Sequence, residues 1–172
     1  MPIPLYCRVR KATPADLPAI GAIDARARSE AYAEIFPADK LAVMTPELRT
    51  VAWTERWEKE AGTHTMLVGE LAGTVAGFVY VGPGRDPEVG DLYALHVDPA
   101  HQGAGVGTDL LAAGVALLEG LGYGKQFLMV AEENTRAARW YERHGWVRSG
   151  GPTDEVPPYL LYFRHGGPTV TM

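Results

Sequence analysis

The sequence predicts a mixed α/β (α+β) domain, and three observations predict it. Short strand-like apolar runs alternate with longer stretches of helical period. The passage from Leu92 to Val130 reads strand, helix, strand, which requires a parallel crossover. Residues 65–81 read as two strands joined by a tight turn, which makes an antiparallel pair. The resulting order is β-α-α-β-β-β-α-β-α-β-β, a mixed sheet with helices on both faces. No repeat, charge run or Ser/Gly linker divides the chain, so residues 1–172 are expected to form one domain with its core over about 6–165.

Residues 6–10 alternate apolar and charged side chains as a half-buried strand does. Thr13-Pro14-Ala15-Asp16 supplies an N-cap, a first-turn proline and a first-turn acid, and Leu17, Ile20, Ile23 and Ala27 recur at helical spacing to about Ala33. Thr45-Pro46-Glu47 repeats that start for a second helix, which carries Leu48, Trp53 and Trp57 to about Glu60 before Gly62 ends it. Strands follow at 65–70 and 75–81, joined by Leu71-Ala72-Gly73-Thr74, and Gly82-Pro83-Gly84 breaks the second. Behind the acidic loop 86–91, residues 92–97 form a strand stopped by Asp98-Pro99. Leu110, Leu111, Val115, Leu118 and Leu121 stripe a helix from Thr108, which Gly122 to Gly124 close. Residues 127–130 make a strand, Asn134 caps a helix through His144 with Gly145 past its end, and strands at 146–148 and 159–164 finish the domain.

Composition narrows the partners. A net charge of −5 and a pI near 5.5 lack the basic footprint of a nucleic-acid or anionic-membrane surface, so neither partner is expected. The single cysteine, Cys7, cannot form an internal disulfide, and the first ten residues carry no apolar leader core, so a cytoplasmic location is expected. No run approaches the roughly 18 apolar residues of a membrane span. His96, His101 and His144 have no metal-ligand spacing and no thiol or acidic companions, so no metal is expected.

The glycines at 103, 105 and 107 lie in the turn from strand to helix, in Gln102-Gly103-Ala104-Gly105-Val106-Gly107-Thr108. Glycine permits a tight left-handed path and a close backbone approach, and the helix behind adds free N–H donors and a partial positive charge. An acidic protein can therefore hold a phosphate through oriented amides. Three phosphate patterns compete. A P-loop needs a lysine that this turn lacks. A dinucleotide fingerprint would put Thr108 in a glycine slot, leave five residues between strand and motif, and find Tyr123 where an acid belongs. The third pattern, Q/R-x-x-G-x-G/A, matches at Gln102, Gly105 and Gly107. A tight turn without ligand accounts for such glycines as well, so the neighbouring blocks decide.

With Leu95-His96-Val97-Asp98-Pro99 upstream and Asn134, Ala137, Tyr141 and Gly145-Trp146 downstream in the spacing N-x-x-A-x-x-x-Y-x-x-x-G-[FW], the chain resembles the GNAT superfamily of acyl-CoA-dependent N-acetyltransferases. The resemblance runs from Tyr6 to Arg164. It implies a central, mostly antiparallel sheet and acetyl-CoA as cosubstrate. Leu95, His96 and Val97 would pair with the pantetheine arm, and Gln102, Gly103, Ala104, Gly105, Val106, Gly107 and Thr108 would hold the pyrophosphate. Asn134 would contact pantetheine, and Tyr141 would give a proton to the departing thiolate. Asn134 and Tyr141 stand seven residues apart on one helix face.

Transfer to an amine requires the free base of a group whose reference pKa is near 10.4, so a general base is expected. Asp91, seven residues before Asp98, stands where histone-acetylating and some small-molecule members carry glutamate. It is one methylene shorter, and a solvated strand-entry acid is the competing reading. Met129 occupies the glutamate position of ribosomal-protein-type members and cannot act as a base; His96 is a further candidate. Cys7 has no neighbouring His base and reads as a packing residue, so direct attack in a ternary complex is expected. Tyr32 and Phe36 are candidates for the acceptor side, whereas Trp53 and Trp57 read as core. The acceptor is expected to be an amine of a small molecule or peptide. The alternative is a non-catalytic CoA-binding sensor or accessory module, which needs neither Tyr141 nor an acid at Asp91. A homodimer through the last strand stays open.

Overall fold

Two Thr-Pro pairs start the long N-terminal helices, as their sequence signals predict. The computed structural model describes residues 6–166, so both ends of the domain expected over 1–172 lie outside the described residues. Strand β1 (Arg8–Lys11) leads into a single 3-10 turn (Pro14–Asp16) and then α1 (Leu17–Tyr32). Asp16 accepts the Thr13 N–H at 2.8 Å and two hydrogen bonds from the Arg10 guanidinium at 2.8 and 2.9 Å, which ties β1 to the helix start. The Thr45 hydroxyl accepts the Leu48 N–H at 3.2 Å and opens α3 (Pro46–Glu60). Between them lies α2 (Ala38–Ala42), a short helix that the apolar periodicity did not reveal because none of its residues is buried.

The sheet then builds in sequence: β2 (Thr65–Leu71), β3 (Thr74–Pro83), β4 (Val89–Val97), β5 (Lys125–Ala131), β6 (Val147–Arg148) and β7 (Tyr159–His165). Two helices cross over it, α4 (Val106–Gly120) and α5 (Thr135–Arg143). Strand order is β1-β2-β3-β4-β5-β7-β6, and only the β4–β5 pair is parallel. That is the mixed, mostly antiparallel sheet that the sequence predicts. The last strand is an inner one, paired with β5 along its length and with β6 at Tyr162 and Phe163.

Several boundaries differ from the sequence reading. β3 does not break at Gly82: Gly82 pairs with Asp91 and Pro83 with Gly90, and the hairpin closes at Gly84, whose N–H donates to Val89 at 2.8 Å. β4 therefore begins at Val89, and Asp91 lies inside a strand rather than in the acidic loop before it. α4 begins at Val106, two residues before Thr108, so the last three residues of the glycine turn form the first helical turn.

The two faces carry separate cores. α4 and α5 cover one, where Leu110, Leu111, Val115 and Leu118 pack with Val79, Val81, Leu128 and Tyr162. Each such side chain removed from water contributes about 1.5–3 kcal/mol. α1 and α3 cover the other, with Leu17, Ile20, Ile23 and Trp53 against Val68, Phe78 and Tyr80. The two helices close on each other at Gly21, where a Cβ would meet the Thr50 backbone at 2.6 and 2.7 Å. One turn further on, Asp24 of α1 consequently faces Arg49 and Trp53 of α3.

One irregularity creates the site. β4 and β5 pair only at Val89↔Lys125, Gly90↔Gln126 and Asp91↔Phe127. The β3 register then passes from Val81↔Leu92 to Tyr80↔Ala94, so Tyr93 is an extra residue and β4 bends. Beyond Asp91 the sheet is open between β4 and β5, and side chains of the two faces meet through the gap.

Candidate active site

At the end of β4 the chain is pinned before it turns. Asp98 accepts the Ala100 N–H at 3.1 Å and an ion pair from Arg26 at 2.6 Å. Gly103 and Gly105 then take positive φ angles of 84° and 82°, with open space where a Cβ would stand, so backbone conformation rather than crowding requires glycine. Gly105 is the N-cap of α4, which leaves the N–H groups of Val106, Gly107 and Thr108 without helical acceptors at the positive end of a 15-residue helix. Gly105→Val is expected to cost about 1–2 kcal/mol at the left-handed residue, read as a lowered Tm.

These amides open onto a cavity of about 440 Å³. Leu95, His96, Val97, Gln102, Gly103, Gly105, Val106, Gly107, Thr108 and Asn134 line it. Of the predicted cofactor residues Ala104 does not; it stands exposed between the two left-handed glycines, whose turns carry it away from the cavity. His101, Arg136, Trp140 and Arg143 line it too, and the sequence reading missed them as ligand contacts. Arg136 and Arg143 sit on the α5 turns flanking Tyr141, the signal that was available. Arg136 also donates to the Gln102 side chain at 3.3 Å, joining α5 to the turn.

Asn134 and Tyr141 come from α5 and reach the gap together. The Asn134 Oδ1 accepts the Ala137 N–H at 3.2 Å, which leaves its side-chain NH₂ free to donate. Tyr141 is 8% exposed, held edge-on by Trp140 and Trp146 at centroid distances of 5.1 and 6.2 Å. Burial, with Tyr32 nearby, raises its phenol above the ordinary range, so the hydroxyl keeps its proton at neutral pH.

Across the gap lies a second cavity of about 410 Å³, lined by α1, β4, β5 and the β6–β7 loop. It shares Ala31, Leu95, His96, Asn134, Ala137 and Tyr141 with the first. Tyr32 and Phe36, stacked at 4.5 Å, form part of its wall, together with Tyr93, Tyr159 and Glu155. Lys40 lies over the Phe36 ring and donates to the Val156 carbonyl at 3.2 Å, which ties α2 to that loop. Asp91 lines this cavity, and a Cβ on Gly84 would collide with its carboxylate. Burial pushes the Asp91 carboxyl up to about 6. Met129 also lines the cavity but has no proton to exchange.

The other base candidate is less suited. His96 borders both cavities, and burial with the Arg28 charge pushes it down to about 4, so it is neutral and weakly basic at pH 7. Its Nε2 lies 3.4 Å from Asp24, a fully buried carboxylate that also accepts Arg28 Nε, Arg49 Nε at 2.6 Å and Trp53 Nε1 at 2.8 Å. Trp53 is thus core, as predicted, with its N–H satisfied. Burial pushes the Asp24 carboxyl up, but the charges around it, Arg28 foremost, outweigh burial and hold it below the ordinary value. Asp24→Ala leaves two guanidinium groups without their acceptor and is expected to destabilise the fold by about 3–5 kcal/mol in denaturant unfolding. The signal for Asp24 was an acid on the apolar face between Ile23 and Ala27.

The model of the GNAT acetyltransferase family matches residues 28–146. A mycothiol acetyltransferase from Rhodococcus erythropolis is 38% identical over 98 residues, which cover 55% of this chain and 33% of that protein. A mycothiol acetyltransferase from Cellulomonas flavigena is 35% identical over 126 residues, 68% of this chain and 35% of that protein. The chain therefore spans about a third of the length of the curated relatives it matches. The solved structure of a PaiA N-acetyltransferase from Thermoplasma acidophilum in complex with coenzyme A superposes with a TM-score of 0.76 at 14% identity, over 94% of this chain and 99% of that one. YncA from Salmonella typhimurium, solved with its cofactor acetyl-CoA, superposes at 0.72 and 20% identity over 97% and 98% of the two chains. The family match takes in the open β4–β5 seam, the glycine turn and most of the residues lining the two cavities, and the chain belongs to the GNAT acetyltransferase family.

Proposed function

We propose that this chain transfers an acetyl group from acetyl-CoA to a primary amine by direct attack in a ternary complex. The observation that carries the reading is the pair of cavities meeting at one opening in the sheet, with Tyr141 at the junction and Asp91 in the second cavity only. The residues present fit acetyl-CoA: free amides at the start of α4 suit a pyrophosphate, and β4 beyond Asp91 offers an unpaired backbone edge to an amide-bearing arm. When bound, acetyl-CoA supplies an activated thioester.

Asp91 takes a proton from the acceptor ammonium, directly or through a water, and so frees the nitrogen lone pair. Backbone N–H groups of the open β4 edge donate to the thioester oxygen as charge develops there. Tyr141 gives its hydroxyl proton to the departing sulfur as the new C–N bond forms and the C–S bond breaks, and the second proton shed by the acylated nitrogen returns to the Tyr141 oxygen through solvent. Asn134 orients the arm through its free NH₂. The Asp91 carboxylate is as basic as it is because its partial burial disfavours the charged form.

The acceptor class is an amine of a small molecule or peptide. A mycothiol-type acceptor belongs in the tests because the curated relatives carry that name. A cytoplasmic setting is part of the same proposal; among the described residues no helix is long and apolar enough to cross a membrane. The test is CoA release with a panel of amino acids, polyamines, aminoglycosides, N-terminal peptides and a mycothiol-type amine. Release coupled to acetylated product supports the proposal. Thermal stabilisation by acetyl-CoA with no release for any amine contradicts it and supports a binding module.

A further inference from the structure

The second cavity carries an uneven set of charges whose arrangement specifies more than an amine. Among the described residues, the ionised groups lining it are Arg28, Asp91 and Glu155, with His96 neutral beside them. Arg28 is the one permanent cation in that wall. Its Nε is committed to Asp24, which fixes the guanidinium plane and leaves the two Nη groups of the fork for another acceptor. Its side chain is 28% exposed, while Asp24 behind it is fully buried.

Asp24 does not neutralise Arg28, because it serves Arg49 as well. One carboxylate stands against two guanidinium groups, so the cluster carries a surplus positive charge. Arg49 does not line the cavity, and the surplus is presented to it by Arg28. The rings of Tyr32, Phe36 and Tyr159 line the cavity with Arg28, and a guanidinium fork makes a strong charge-assisted bond to a planar anion. At the β4 side, Asp91 stands ready for an ammonium.

Resting on the acetyl-transfer reading above, we infer that the acceptor is an amino carboxylate, its carboxylate seated on the Arg28 fork and its amine delivered to Asp91. Asp24 acts as a positioning residue for that fork, and Arg28 is a specificity determinant rather than a catalytic residue. The test is the rate of CoA release with matched sets of one free amino acid, its carboxamide and its decarboxylated amine, each with and without Arg28→Gln. The wild-type protein is expected to favour the free acid by about tenfold or more in kcat/KM. Arg28→Gln is expected to erase that preference through a rise in KM for the acid, with kcat and the KM for acetyl-CoA held, and Arg28→Lys to restore part of it. A wild-type protein that acetylates amide and amine as well as the acid, or one that acetylates a mycothiol-type amine alone, overturns this inference and leaves acetyl transfer standing. A preference that survives Arg28→Gln overturns it too. No release with any member of the sets overturns this inference, and no release with any amine of the wider panel overturns both. Should Arg28→Gln not fold, the wild-type comparison decides by itself.

Discussion

Tyr141→Phe is expected to lower kcat by about 10²–10³-fold while the KM for acetyl-CoA changes little. The ring contributes packing against Trp140 and Trp146, and phenylalanine preserves it; only the hydroxyl at the junction of the two cavities is lost. Thermal unfolding of the variant should stay close to that of the parent. The deficit should shrink for acyl donors whose leaving thiol is more acidic, because such a thiol departs without a proton. Unchanged turnover would remove the proton-donor role from Tyr141 and reduce it to a wall residue.

Asp91→Asn is expected to lower kcat/KM by about 10²–10⁴-fold at pH 7, as loss of a general base does. The diagnostic is the pH profile. With the carboxyl pushed up to about 6, the parent enzyme should gain activity with unit slope below that pH and level off above it, and the limb should vanish in the variant. Stability should move the other way. The folded group ionises at about 6 against an ordinary 3.8, so this carboxyl favours the fold fully below 3.8 and loses that contribution as pH rises through 6. Asp91→Asn should therefore raise Tm at pH 7 while it lowers activity. A variant that is slower yet no more stable, with the acidic limb intact, would assign the base to another group.

The glycine turn was legible because its requirement is local: a left-handed residue before a helix start has few chemical solutions, and Gly105 takes one. Asn134 and Tyr141 were legible for the same reason, since seven residues of one helix fix their relation without reference to any other element. Asp91 was half legible. Its residue type pointed to chemistry, but its position inside β4 depends on Gly82 and Pro83 pairing across from it, where the sequence signals a break. Arg28 and Tyr159 were not legible, because they reach the second cavity only through long-range topology. β7 inserts between β5 and β6 and brings the preceding loop to the second cavity and to Lys40 of α2, and no local pattern encodes that insertion. Asp24 was hidden differently: its three donors lie 4, 25 and 29 residues away, and it becomes an acceptor only once α1 and α3 close at Gly21.

The central claim is that the opening between β4 and β5 is where thioester and amine meet. A crystal structure of the acetyl-CoA complex measures this directly. The expected result has the pyrophosphate on the N–H groups of Val106, Gly107 and Thr108, the arm along Leu95 to Val97, and the sulfur within about 4 Å of the Tyr141 hydroxyl, with the acetyl group facing the Asp91 cavity. A thioester lying outside the opening, or a sulfur remote from Tyr141 with the acetyl group turned away from Asp91, would contradict it.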